Sequence, residues 1–321
     1  MSTKRLAASG FLAVLMCGAA SAQQPATPPA GPPAAPRPFR AGTPLGTTNE
    51  AGVATTMTSN VKVYGSFRFA ESCTFDPARN LIVAMNAGVA QALEPNDGYV
   101  SLINPDGTVH TSKWIGVTRD GLTLNQPLGS AMSNGVLYAA DINVVRTFDL
   151  ATGAPRASVD VPEATGLNGI AATPDGTIYA SNTGNPQRIY RIAPNGAVTV
   201  FAEGEPLLQP NGVAMDPDGN VVVVNIGNNS VLTFDPSGKL LRTEHASEGG
   251  NDGVVVLPNG TTYVSSVRFG SVSRIRPGQP AEVVAAGIPS AASMCYDSKQ
   301  NQLVIPMNNH NAMAFIALGR N

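Results

Sequence analysis

From about residue 160 the apolar and polar positions repeat one phrase, LNGIAATPDGTIYASN at 167–182, PNGVAMDPDGNVVVVN at 210–225 and NDGVVVLPNGTTYVSS at 251–266. Each copy has a short apolar run, a turn dipeptide (Asp175-Gly176, Asp218-Gly219, Asn259-Gly260) and a second run rich in Val, Ile and Tyr. Asp-Gly and Asn-Gly supply the positive φ angles of tight hairpins, so each copy predicts two antiparallel strands. A second hairpin often follows, as in RIYRIAPNGAVTVFAEG and SVLTFDPSGKLLRTE, which makes about four strands per unit. A weaker copy, SAASMCYDSKQNQLVIP, begins at Ser290, and earlier ones are PLGSAMSNGVLYAAD from Pro127 and ESCTFDPARNLIVAMN from Glu71.

Six units of four strands predict an all-β, six-bladed β-propeller over residues 51–321. A β-solenoid has shorter repeats without paired hairpin turns. A closed ring must join its ends, and NVKVYGSF at 60–67 is the candidate strand for completing the last blade.

The first strand of every blade should start at one mouth of the central channel with its opening residue toward the axis. Those positions hold Glu71, Leu128, Asn168, Asn211, Asp252 and Ser290. Carboxylates and amides converging on one axis suit a hard divalent cation, Ca²⁺ above all, with Mg²⁺, Mn²⁺ or Zn²⁺ as alternatives. The competing reading makes Asn168 and Asn211 plain turn formers, since Gly follows each. The hairpin turn of each copy, however, lies six or seven residues later, and Glu71 and Asp252 have no turn to make.

Composition narrows the function. Twenty basic against 22 acidic residues, with only five lysines, leave no broad electropositive surface, which argues against a nucleic-acid partner. There is no G-x-S-x-G, H-E-x-x-H or G-x-x-x-x-G-K-[ST] motif, so serine hydrolases, zincins and phosphate-loop enzymes drop out. His110, His245 and His310 are far apart in sequence; His110 or His310 is an acid or base candidate only if the fold brings it to the mouth.

The first 22 residues, MSTKRLAASGFLAVLMCGAASA, carry a basic start, a short apolar run and an A-x-A site, the layout of an export signal. Residues 23–50 follow as a Pro-rich linker, with eight prolines among residues 23–44. The expected location is the periplasm or the cell exterior, with no membrane span beyond the signal. Cys73 and Cys295 remain in the mature chain, and their place in strands at opposite ends of the sequence predicts two buried thiols rather than a bridge.

At the opening residues the chain resembles the SMP-30/gluconolactonase family of six-bladed propellers, also called regucalcin-like. The resemblance is carried by Glu71 opening the first blade, Asn168 in L-N-G, Asn211 in P-N-G-V-A-M-D-P-D-G and Asp252 in N-D-G-V-V-V-L-P-N-G. It implies a divalent cation held by Glu71, Asn211 and Asp252, with Asn168 beside it to contact the ion or the substrate. The reaction it implies is hydrolysis of a lactone or related ester, with Asp252 or a neighbouring carboxylate deprotonating the attacking water. Sugar-lactone members commonly have Arg and Asp flanking the third-blade asparagine, where this chain has Gly166 and Gly169, which argues against an aldonolactone. Ser72-Cys73 likewise stand where the family often has Gly-Pro. The alternative function is a non-catalytic NHL-like propeller that binds a protein or glycan around a structural ion. A streptogramin-lyase-like enzyme would need a histidine at the channel, and none holds an opening position.

Overall fold

The structure, a computed structural model, describes residues 45–89, 95–116 and 121–319. The expected signal and most of the expected linker lie outside these residues. A short hairpin, β1 (Gly46–Thr48) with β2 (Ala54–Thr56), precedes the strand β3 (Val61–Tyr64). Blade one is β4 (Ala70–Asp76), β5 (Leu81–Asn86), β6 (Tyr99–Ile103) and β7 (Val109–Ile115). Blade two is β8 (Pro127–Ser133), β9 (Val136–Asp141), β10 (Val144–Asp149) and β11 (Pro155–Asp160). Blade three is β12 (Leu167–Ala172), β13 (Ile178–Asn182), β14 (Arg188–Ile192) and β15 (Val198–Glu203). Blade four is β16 (Pro210–Met215), β17 (Val221–Asn225), β18 (Ser230–Phe234) and β19 (Leu240–His245). Blade five is β20 (Asn251–Val256), β21 (Thr262–Ser266), β22 (Ser271–Ile275) and β23 (Glu282–Ala285). Blade six is β24 (Cys295–Asp297), β25 (Gln302–Met307) and β26 (Ala312–Ala317), completed on its outer edge by β3.

The expected six-bladed propeller is therefore the observed fold. Within a blade the two middle strands are the most buried and the outermost the least: β17 and β18 are buried throughout, whereas β19 is almost wholly exposed. The apolar side chains of successive sheets meet face to face. Leu81, Val83 and Met85 of blade one, for example, pack on Leu137, Ala139 and Phe148 of blade two. Each such layer removes apolar surface from water on two blades at once, which is why a blade is stable only between neighbours.

Ring closure follows the expectation for residues 60–67, since β3 pairs antiparallel with β26, Tyr64 opposite Met313 and Val61 opposite Ile316. The expectation for the cysteines is corrected: Cys73 and Cys295 form a disulfide across 222 residues, with Cα atoms 5.4 Å apart. Sequence distance misleads here because closing the ring sets β4 of the first blade beside β24 of the last. The linker boundary also moves, because pairing begins at Gly46, inside the stretch assigned by composition to residues 23–50.

Candidate metal centre at the propeller hub

Strand pairing gives each blade an equivalent opening pair: Ala70 with Asn86, Pro127 with Asp141, Leu167 with Asn182, Pro210 with Asn225, Asn251 with Ser266, and Ala291 with Met307. The next residue of each inner strand sits at a register shift, and these residues are Glu71, Leu128, Asn168, Asn211, Asp252 and Ala292. Five match the sequence assignment. The sixth does not: Ser290 precedes the pair, with a left-handed φ of 49° like Phe69, Gln209 and Gly250 in blades one, four and five. The copy in blade six has no Asn-Gly or Asp-Gly to fix its phase, so a two-residue slip was invisible in the sequence.

The glycine of P-L-G, L-N-G, P-N-G and N-D-G has a reason other than a turn. A Cβ on Gly129, Gly169 or Gly212 would overlap the carbonyl oxygen of Asn168, Asn211 or Asp252 on the next blade, and one on Gly253 would overlap Met294 N. The inner strands therefore approach backbone to backbone, and the side chain before each glycine is left to project at the hub.

Four polar residues of this ring are buried: Glu71, Asn168, Asn211 and Asp252. The oxygens Oδ1 of Asn168, Asn211 and Asp252 are sealed from solvent and have no hydrogen-bond partner among the described residues. A buried oxygen without a donor costs free energy, so three of them on three successive blades describe a site shaped for something else to bind. The Glu71 side chain accepts at Oε2 from the Asn308 side-chain amide at 2.7 Å. Burial pushes the Glu71 carboxyl up to about 7 despite this hydrogen bond. Burial, and then the nearby Glu71 charge, hold Asp252 well above the ordinary carboxylate range. Two carboxylates forced together out of water are relieved by a cation, and an all-oxygen donor set is one for a hard divalent ion. The residues present thus fit the group that the sequence implies.

Asn308 was missed in the sequence because it lies 237 residues from Glu71, on a 3₁₀ turn (Asn308–His310) outside the repeated phrase. The same turn brings one histidine to the mouth: His310 is partly buried, with Nδ1 2.8 Å from Ser290 Oγ, and burial lowers its pKa. His110 is exposed on β7 and His245 exposed at the end of β19, both on outermost strands.

Beneath the ring, a cavity of about 40 Å³ on the axis is lined by Ser72, Gly129, Ser130, Gly169, Gly212 and Ser293 among others. That volume suits a water or an ion, so an organic substrate would have to approach from the mouth. A larger cavity of about 490 Å³ lies at the hairpin turns of blades four and five, lined by Asp216, Arg242 and Asn259, at the far end of the strands that begin near Asn211 and Asp252. Asp216 is occupied there by the N–H groups of its own turn, Asp218 and Asn220.

The solved structures it is similar to share the architecture. A gluconolactonase of Xanthomonas campestris superposes with a TM-score of 0.62 at 19% identity, covering 90% of this chain and 99% of that one. A putative gluconolactonase gives 0.60 at 15%, covering 85% and 97%. Virginiamycin B lyase of Staphylococcus aureus gives 0.55 at 14%, covering 81% and 99%. These likenesses show the fold alone. A search among curated proteins finds no match. The profile described as the SMP-30/Gluconolactonase/LRE-like region matches residues 49–307, and the chain belongs to that family.

Proposed function

We propose that this protein is an exported, divalent-cation-dependent hydrolase that opens a lactone or a related ester at the hub. The observation that carries the reading is the set of three sealed, unpartnered oxygens, on Asn168, Asn211 and Asp252, facing the same hub as the buried Glu71. Glu71, Asn211 and Asp252 hold the cation, Ca²⁺ in preference to Mg²⁺, Mn²⁺ or Zn²⁺, and Asn168 contacts it or the substrate. When bound, the ion would polarise the ester carbonyl and stabilise the oxyanion.

The chain's own residues do the rest. Asn308 holds Glu71 Oε2, which fixes the plane of that carboxylate. Asp252 takes the proton of the attacking water on the oxygen not committed to the ion. Leu128 and Ala292, on the blades either side of Glu71, complete the ring as apolar wall between that carboxylate and the donors of blades three to five. The mouth lacks the Arg and Asp of sugar-lactone members, which favours an aliphatic or aryl lactone over an aldonolactone. The Cys73–Cys295 disulfide supports export to an oxidising compartment, and no helix among the described residues is long and apolar enough to cross a membrane.

The test is hydrolysis of a panel of aliphatic, aryl and sugar lactones by the mature protein, with and without chelator, beside Asp252→Ala. The expected result is activity lost with chelator, restored by a divalent cation and absent from the variant. No turnover, together with a chelator-induced fall in melting temperature, would instead assign the ion a structural role in a binding propeller.

A further inference from the structure

Every blade must satisfy the backbone N–H groups where the chain turns into its inner strand. Four blades use the same device, a side chain at the end of the second strand. Asn86 Oδ1 accepts from Arg68 N, Asp141 from Asn125 and Gln126 N, Asn182 from Thr165 and Gly166 N, and Asn225 from Leu208 N. In blade six the acceptor position is Met307, and the residue equivalent to Leu208 is Pro289, which has no N–H to satisfy.

Blade five, the blade of Asp252, has lost the device. Its acceptor position is Ser266, whose hydroxyl is already used, donating to Gly249 O and accepting from Phe269 N. The equivalent N–H is that of Gly249, and its acceptor comes from outside the blade: Glu50 Oε2, at 3.0 Å, in the turn of the β1–β2 hairpin. The hairpin is held there by further contacts to the loop before β20 and to the turn between β21 and β22. Glu50 N donates to Glu248 Oε1 at 3.1 Å, and Thr47 Oγ1 donates to Phe269 O at 2.7 Å. Gly270 makes room for it, since a Cβ there would strike Thr47. The turn so held is Gly249-Gly250, the most freely jointed pair available, three and two residues before Asp252.

We infer that the N-terminal hairpin is a working part of the site, with Glu50 a positioning residue that replaces the missing cap of blade five and so fixes Asp252. The contact itself is independent of the hydrolase reading; its consequence for cation binding rests on Asp252 being a ligand. Blade four has its cap in Asn225 and blade six has Pro289 with no N–H to cap, so neither neighbour needs such a strap and the effect of losing Glu50 is local to one strand entry.

The experiment is hydrogen exchange on the full chain, comparing wild type, Glu50→Ala and Glu50→Gln, with Ca²⁺ affinity measured on the same samples. Glu50→Ala should speed exchange across residues 247–253 by about tenfold while the other five blades stay as in wild type, and should weaken Ca²⁺ binding by a similar factor. Glu50→Gln keeps a carbonyl acceptor and should restore most of both. Exchange at 247–253 within twofold of wild type in Glu50→Ala would overturn the inference. If exchange changes as expected but even wild type binds no cation, the strap stands and the hydrolase reading fails. Should Glu50→Ala not fold, adding Ser266→Asn, which puts the amide of the other blades back, is expected to rescue it; a Gln variant that exchanges as slowly as wild type while the Asn rescue fails would assign Glu50 to folding alone.

Discussion

A single ring of side chains decides whether this hub is a structural core or a site. Leu128 and Ala292 show what the position holds when only packing matters; Asn168, Asn211, Asp252 and Glu71 carry oxygens that packing does not need. The carboxylates also make a pH argument with a defined sign. Glu71 titrates near 7 in the folded chain, against 4.5 in the unfolded one, so the native state holds the extra proton between those values. Metal-free stability is therefore full below about pH 4.5 and falls as pH rises to 7, by on the order of 3 kcal/mol for Glu71 alone, with Asp252 adding in the same direction. A cation needs the ionised forms, so the gain in melting temperature on adding Ca²⁺ should grow from pH 5 to pH 8. Asp252→Asn, which keeps the shape and removes one of the two charges, should be more stable than wild type in chelator at pH 8 by about 1–2 kcal/mol, melt correspondingly higher, and show no gain with Ca²⁺. Thermal melts of both proteins across pH, with and without chelator, check each part; a variant that still gains with Ca²⁺ would remove Asp252 from the ligand set.

At the scale of the element, the recurring parts are those the sequence made readable. Asn-Gly and Asp-Gly turns mark the hairpins because a positive φ is needed there, and the oxygens of Asn168, Asn211 and Asp252 are visible because the glycine after each is forced by the backbone of the next blade. What repeats less strictly was read less well. Blade six slipped by two residues because Ala292 and Ser293 stand in place of the Asn-Gly phrase and β24 keeps only three paired residues. Asn308 and Glu50 could not be found at all, since their partners Glu71 and Gly249 lie 237 and 199 residues away and nothing local marks the contact. The caps at the ends of the second strands carry a direct prediction. Asn225 is fully buried, accepts from Leu208 N and donates to Pro206 O, so Asn225→Ala strands two backbone groups and should cost about 2–3 kcal/mol in urea unfolding. Ser266→Ala in blade five should cost less at the equivalent N–H, because Glu50 rather than Ser266 satisfies it.

For the whole molecule, the distinctive problem of a propeller is that its first and last blades must find each other across the entire chain. Two devices solve it at different radii. On the outside, β3 from the N-terminal side completes the sheet of blade six, and near the axis the Cys73–Cys295 bond ties β4 to β24. The inner tie lies two residues along β4 from Glu71, so it fixes the joint of the ring where a hub ligand is carried. In the chain-entropy account a bridge closing 222 residues removes about 5 kcal/mol of unfolded-state freedom. Replacing both cysteines by serine should therefore lower the melting temperature by roughly 10 °C for a domain of this size. Each serine also puts a hydroxyl in an apolar layer with Phe75, Ile82 and Phe315, so the pair Cys73→Ala with Cys295→Ala separates loss of the tie from that added polarity. If the tie matters to the site as well as to the fold, the alanine pair will bind Ca²⁺ more weakly at 25 °C, where the ring is still closed by β3. A melting temperature that drops while Ca²⁺ affinity stays at the wild-type value would confine the bond to stability and leave the geometry of Glu71 to Asn308 and the strand itself.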